Sequence, residues 1–346
     1  MKGSKIIISI FIIIGILFAY NNIYASEILN LIPDAGTTGI AGLSDNSDNS
    51  IWSVYNNQAN IASFDMHLFS FSYKRLMNLF NFINLAGGFK LKYGYAGIGI
   101  SYMDYGSETL ITGIDASTGL PVGGEDFYSY DLLVATAYGY DFSSIGLSAG
   151  IGIKLLQNSI ANRDLLYAVF DVSFIEMVGD IKLNLNVRNV DIGLSSIQDL
   201  PVNLNFNVLI PSTLFIKQSY NNQSFYIVSG VNFDMSDSVV EKVYGSLGAD
   251  FMLNNRVNLR TGVFLGKNNV FIQFNSLGIG YQVNNAVKID YSFSRESEYT
   301  EFTHSFTVQY ALNPGTKKHK KSKKKKSKKV KKSSAKNWDV EDLEDE

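Results

Sequence analysis

Phe302-Thr303-His304-Ser305-Phe306-Thr307-Val308-Gln309-Tyr310 is the stretch whose reading decides the fold. Phe302, His304, Phe306, Val308 and Tyr310 alternate with Thr303, Ser305, Thr307 and Gln309. Successive side chains of a strand point to opposite faces, so a period of two gives one bulky face and one polar face. The same period recurs upstream. Val287, Ile289, Tyr291 and Phe293 alternate with Lys288, Asp290, Ser292 and Ser294, and Ile181, Leu183, Leu185 and Val187 with Lys182, Asn184, Asn186 and Arg188. Ile151, Ile153 and Leu155 alternate with Gly150, Gly152 and Lys154.

Working outward, about fourteen such segments fill residues 66–312, each near the roughly 9–11 residues that a tilted transmembrane strand needs. Some connections are turn-like, such as Asn254-Asn255, Gly266-Lys267-Asn268 and Asn284-Asn285, while 104–127 and 190–203 have the character of long loops. Short turns at one end and long loops at the other, with an even strand number, suit a bacterial single-chain barrel. A soluble sandwich also alternates. Strand length and a bulky outward set favour an all-β transmembrane antiparallel barrel, the closed form that leaves no unpaired edge in lipid. Outer-membrane lipid is then its first partner.

Composition agrees. The chain has 346 residues, 46% hydrophobic and 18% charged, with 23 Phe, 20 Tyr, 29 Gly and only 5 Pro. It has no Cys, which excludes disulfides, thiolate metal sites and Cys nucleophiles. Residues 1–25 have the form of a secretory signal: Lys2 and Lys5, an apolar run from Ile6 to Tyr20, and a small residue, Ala25, at the expected cleavage point.

Residues 26–65 lack alternation and include the polar run from Asp45 to Ser50. A segment this small cannot build its own core, and a fourteen-stranded barrel is too wide for wall side chains to fill. The expectation is an N-terminal luminal plug. Residues 313–346 form a tail with thirteen Lys between Lys317 and Lys336, then six acids. Such blocks are usually solvated arms, and this one offers contact with a periplasmic anionic polymer or protein partner. Without leader and tail, 15 basic residues face 26 acidic ones. This acidic balance and the membrane fold give no reason to expect nucleic acid as a partner. With an even strand number, both termini are expected at the periplasmic face.

Gly36-Thr37-Thr38-Gly39-Ile40-Ala41-Gly42, followed by an Asp/Asn/Ser stretch and Val54-Tyr55-Asn56-Asn57-Gln58-Ala59-Asn60-Ile61-Ala62, resembles the N-terminal segment of the FadL/PorV-like outer-membrane proteins, a superfamily that includes PorV/PorQ and the UPF0164 group. Asn57, Ala59 and Ala62 match that family's Asn-Pro-Ala-Gly-Leu-Ala-type motif, while Gln58 stands for its Pro and Asn60 for its Gly. The resemblance covers the chain to about residue 312. It implies a fourteen-stranded barrel, a plug, and carriage of long-chain fatty acids or other hydrophobic small-molecule ligands. Its PorV branch implies instead an anchor that docks secreted or surface proteins.

Enzyme chemistry finds little support. Gly94, Gly97 and Gly99 mimic a phosphate loop, but no helix follows them, so small inward residues are the simpler account. Asp45 and Asp48 lack the spacing of a Ca²⁺ loop. His67, His304 and His319 are far apart, and His67 and His304 suit membrane boundaries. No metal, cofactor or activated nucleophile is expected. Lys154, Lys182, Arg188, Asp250, Arg260, Lys288 and Asp290 fall on the inward parity that a polar lumen requires. Lys182, Arg188, Arg260 and Lys288 are the candidate polar anchors for a ligand, or partners for plug acids such as Asp34.

Overall fold

The computed structural model describes residues 27–43, 50–160, 163–193, 202–211, 224–236, 239–266, 273–295 and 302–312. The expected leader, Asp45, Asp48, His319 and the lysine tail lie outside the described residues. Fourteen strands follow one another: β1 (His67–Leu76), β2 (Phe80–Lys90), β3 (Tyr95–Ile114), β4 (Pro121–Phe142), β5 (Leu147–Ile160), β6 (Arg163–Val178), β7 (Ile181–Asp191), β8 (Val202–Pro211), β9 (Ser224–Ser236), β10 (Val239–Leu253), β11 (Val257–Gly266), β12 (Gln273–Gln282), β13 (Val287–Arg295) and β14 (Phe302–Leu312). Each pairs antiparallel with the next, and β1 closes on β14 from His67↔Leu312 to Arg75↔His304. The barrel therefore begins and ends at one rim.

The alternation separates two environments. On β14, Phe302, Phe306 and Tyr310 are exposed on the outer face, while Thr303, Ser305 and Thr307 are buried inside. On β5, Ile151, Ile153 and Leu155 face out, and Gly150, Gly152 and Lys154 face in. Lipid accepts the first set, and a polar interior accepts the second. His304 sits on the outer face, where its Nδ1 lies 2.8 Å from the Tyr291 hydroxyl.

Turn chemistry fits the sequence. Asn254 and Asn255 both take left-handed φ, +50° and +53°, in the three-residue connection between the paired Leu253 and Val257, a conformation that Asn tolerates. Asn284 Oδ1 accepts from the amides of Ala286 and Val287, closing the β12–β13 turn. Gly94 lies in the β2–β3 turn at φ +79° rather than in a strand. The 104–127 region also differs from expectation. It is not a loop: β3 runs to Ile114 and β4 starts at Pro121, leaving a short tip. From Gly106 to Gly124 this hairpin is exposed on both faces. With solvent on both sides no period-two pattern is needed, and backbone pairing alone continues the strands.

The N-terminal segment carries four short helical pieces: η1 (Glu27–Leu29), α1 (Ala35–Thr38), α2 (Ser53–Asn56) and η2 (Asn60–Ser63). Asp34 caps α1, its Oδ2 accepting from Thr37 N at 2.9 Å. Ile28, Ile40, Ile51, Trp52, Val54 and Ile61 of this segment are fully buried. They pack against inward wall residues, and α2 and η2 belong to the same apolar cluster as Leu68, Phe82, Tyr95 and Leu133.

Candidate functional site: the lumen wall and the segment seated on it

Glycine moulds two seats on the inner wall. Over β2–β5, Gly88, Gly97, Gly99, Gly139, Gly150 and Gly152 face the segment. A side-chain carbon at Gly97 would overlap Val54, at Gly99 the Tyr55 ring, and at Gly150 the Gln58–Ala59 peptide. Only glycine lets the segment's backbone lie directly on the strands at such a place. Over β9–β12, Gly262 meets the Ile40–Ala41 peptide in the same way, and the Cα of Gly39 would lie 3.1 Å from a carbon added at Gly278.

Each seat has a buried charge centre. In the first, Lys154 Nζ lies 2.6 Å from Asp171 Oδ2, both essentially inaccessible. Gln58 Nε2 donates to Asp171 Oδ2 at 3.0 Å and to Val54 O at 3.1 Å. The other carboxylate oxygen accepts from Asn189 N at 2.8 Å. That amide is available because β6 and β7 slip in register at this point, with Phe170↔Val190 and Val172↔Val187 and Asn189 at φ +61°. A bulge here re-aims one residue out of the ladder. Asn189 Oδ1 in turn accepts from Lys154 at 3.1 Å. Beside this centre, Ala59 N donates to Ser173 Oγ at 2.6 Å.

In the second seat Arg260 Nε lies 3.0 Å from Asp250 and its Nη1 2.5 Å from Asp290. Lys288 approaches Asp290 at 3.5 Å. Here α1 and the turn after it contribute backbone: Ala35 N donates to Thr307 Oγ1 at 2.9 Å, and Ala41 N to Ser276 Oγ at 3.0 Å. Burial pushes the Asp34 carboxyl above the ordinary carboxylate range; its bonds to Thr37 oppose this, Asp290 adds to it and Lys74 opposes it.

The anchors named from sequence are thus not one site. Arg260 and Lys288 meet at Asp290 in the second seat. Arg188 reaches Asn205 on the far wall, and Lys182 is half-buried on the same strand. The pairing expected with Asp34 is instead made by the wall acids Asp250 and Asp290, and Asp34 caps a helix. The motif residues from Asn57 to Ala62 lie together in the first seat: Asn60 Nδ2 bonds Ser53 Oγ at 2.9 Å, and Ala62 N would stand 2.8 Å from a carbon at Gly139. Asp171, the acceptor for Gln58, is not among the residues singled out by the sequence. Its only signal there is a lone acid on the inward parity of β6.

Above the first seat apolar side chains gather around a buried carboxylate, Asp131, which accepts from the Tyr105 hydroxyl at 2.7 Å and from Asn158 Nδ2 at 2.6 Å. Half-buried Leu31, Phe80, Tyr105 and Leu165 edge the cluster of Trp52, Tyr55, Met103 and Tyr167. Phe80 opens β2 at the rim opposite the one where the barrel begins and ends. Phe80 and Tyr105 meet edge-on at 5.4 Å. Among the described residues no group of three or more His, Cys, Asp or Glu could hold a metal ion.

No family model and no curated protein matches this chain. Solved structures do. The toluene transporter TbuX of Ralstonia pickettii aligns over 81% of this chain and 98% of its own, at 10% identity and a TM-score of 0.53. The monoaromatic hydrocarbon channel CymD covers 81% and 97% at 10% identity and 0.51. A deletion mutant of the monoaromatic hydrocarbon channel TodX covers 81% and 98% at 11% identity and 0.52. At such identity the likeness is one of fold, and it places the chain among barrels of the outer-membrane type.

Proposed function

We propose that this chain takes up hydrophobic compounds across the outer membrane, with both termini in the periplasm and the N-terminal segment closing the lumen. The observation that carries the reading is the seating of residues 50–64 on the inner wall of β2–β5. A barrel occupied in this way is not an open aqueous pore. The half-buried apolar mouth at Leu31, Phe80, Tyr105 and Leu165 suits a ligand that is mostly hydrocarbon. The family resemblance of residues 36–62 points the same way, to long-chain fatty acids or similar molecules, and so does the fold shared with a toluene transporter and hydrocarbon channels. The chemistry is binding and release, not catalysis.

The test is binding of a fluorescent long-chain fatty acid to the detergent-solubilised protein, with toluene as competitor. Saturable binding that toluene displaces, weakened by Tyr55→Ala, is the expected result. A folded protein that binds neither compound contradicts the reading.

A second reading, a PorV-like anchor that docks secreted or surface proteins, has one observation in its favour. The β3–β4 hairpin exposes Leu110, Ile111, Ile114, Leu120 and Val122 beyond the barrel. Shortening it to a tight turn would abolish partner capture on that reading and leave ligand binding intact.

A further inference from the structure

The outer face of β1–β3 carries a groove of about 490 Å³. Phe69, Phe71, Leu85, Ile98 and Ile100 wall it, and all five are exposed. Its origin can be read from the register. The outward row of β2 is Ile83, Leu85, Gly87 and Phe89, so one position in it has no side chain. Gly87 stands between Phe69 on β1 and Ile98 on β3, and a hollow opens there in a surface otherwise paved with large side chains. The Phe69 and Phe89 rings meet edge-on at 5.6 Å and stiffen one side of it. Unlike Gly97 and Gly99, Gly87 is not required by the segment inside. A side-chain carbon at Gly87 would make only an ordinary contact, 3.4 Å from the Phe69 ring.

The groove lies near the rim where the barrel begins and ends. There β1 starts at His67 and β2 ends at Lys90. Tyr310 lines the groove, and Tyr93 is exposed in the β2–β3 turn. Rings with polar tips collect at the headgroup level of a membrane. At the same rim Lys90 and Lys92 are exposed, with Lys92 Nζ 4.9 Å from the centre of the Tyr93 ring. Lys90 is three residues past Gly87, about 10 Å along a strand. Over residues 65–69 and 87–95 these two cations stand against one acid, Asp65, in a barrel whose overall balance is acidic. We propose that the groove is a lipid site: it holds one acyl chain of an anionic phospholipid whose phosphate lies at Lys90 and Lys92. In hydrocarbon no hydrophobic drive favours one apolar surface over another, so selection comes from close packing in the hollow and from charge at the headgroup. A chain lying in the hollow meets protein atoms on more than one side, which a flat wall does not offer. The choice of a phospholipid rests on the reading that this rim is periplasmic, where the facing leaflet is phospholipid.

Native mass spectrometry of the full chain in mild detergent tests it, with phosphatidylglycerol as the probe and phosphatidylcholine, which has no net charge, as the comparison. One phosphatidylglycerol per barrel is expected to be retained, severalfold more than phosphatidylcholine. Gly87→Leu fills the hollow and is expected to lower retention of both lipids severalfold. Lys90→Gln/Lys92→Gln changes only exposed positions at the rim and guards against misfolding; it is expected to erase the preference for phosphatidylglycerol and leave phosphatidylcholine unmoved. Equal retention of the two lipids by the unaltered protein, retention unmoved by Gly87→Leu in a folded barrel, or a preference unmoved by the lysine pair would each overturn the proposal. Lipopolysaccharide retained in place of phosphatidylglycerol would overturn it too, and with it the periplasmic placement of this rim. Fatty-acid binding that toluene displaces is expected to be the same in Gly87→Leu as in the unaltered protein, so hydrophobic uptake through the lumen is judged separately.

Discussion

At the β3–β5 wall the N-terminal segment contributes a side chain to the buried charge centre, whereas at the β10–β13 wall the hydrogen bonds that its described residues make to the strands come from its backbone. Gln58 completes the Lys154–Asp171 pair from above. The Asp250–Arg260–Asp290 chain, by contrast, is made of wall residues, and α1 lies across it. Glycine makes close approach possible in both places. The difference is in what is lost when the segment lifts. At the first seat a carboxylate loses a hydrogen bond. At the second the ion pairs persist, and the hydroxyls of Thr307 and Ser276 lose the bonds they receive from Ala35 and Ala41. The first seat should therefore be the tighter one.

The most severe way to break this comparison is Asp171→Ala. It strands Lys154 without its carboxylate in a buried site, at a cost of about 3–5 kcal/mol. It is expected to lower the unfolding midpoint sharply, and to expose a thiol introduced by Ala59→Cys to a water-soluble maleimide. The chain has no other thiol to confuse the readout.

Next in size, Gly150→Ala and Gly262→Ala separate the two seats. Each adds one carbon where the segment's backbone already lies, which overpacks the site by about 1–3 kcal/mol. Gly150→Ala is expected to unprotect the thiol of Ala59→Cys and leave that of Ala41→Cys protected, and Gly262→Ala to do the reverse. Release of both thiols by either change would show one seat rather than two.

These predictions draw on features that the sequence reveals unevenly. The barrel is legible because lipid outside and polarity inside impose a period of two on nearly every strand, as in Phe302–Tyr310. The β3–β4 extension is hidden because residues 106–124 have solvent on both faces and need no pattern. Gly97 and Gly99 can be read as small inward residues, but their partners Val54 and Tyr55 cannot, since that match depends on how a non-repeating segment lies across four strands. Asp171 is hidden for a related reason. Its pairing with Gln58 spans 113 positions, and its bond from Asn189 requires a bulge that no turn residue announces.

A smaller effect sharpens the contrast from the other side. Asp290→Asn leaves Arg260 paired with Asp250, so the loss is expected to stay at about 1.5 kcal/mol, the low end for a hydrogen bond to a charged group. A destabilisation as large as that of Asp171→Ala would mean that the second centre also depends on the segment. Smallest of all, Ile111→Ser on the projecting hairpin is expected to shift stability by less than about 0.5 kcal/mol, because it touches neither seat.

The most direct test of the seated segment is a cross-link. Ala59 N and Ser173 Oγ are 2.6 Å apart, across the boundary between segment and wall. In the Ala59→Cys/Ser173→Cys protein, mild oxidation should form an intramolecular disulfide rapidly, and the disulfide should remain while the barrel is folded in a membrane. A folded barrel in which the two thiols stay reduced, and in which the one at position 59 reacts freely with a water-soluble maleimide, would contradict the account.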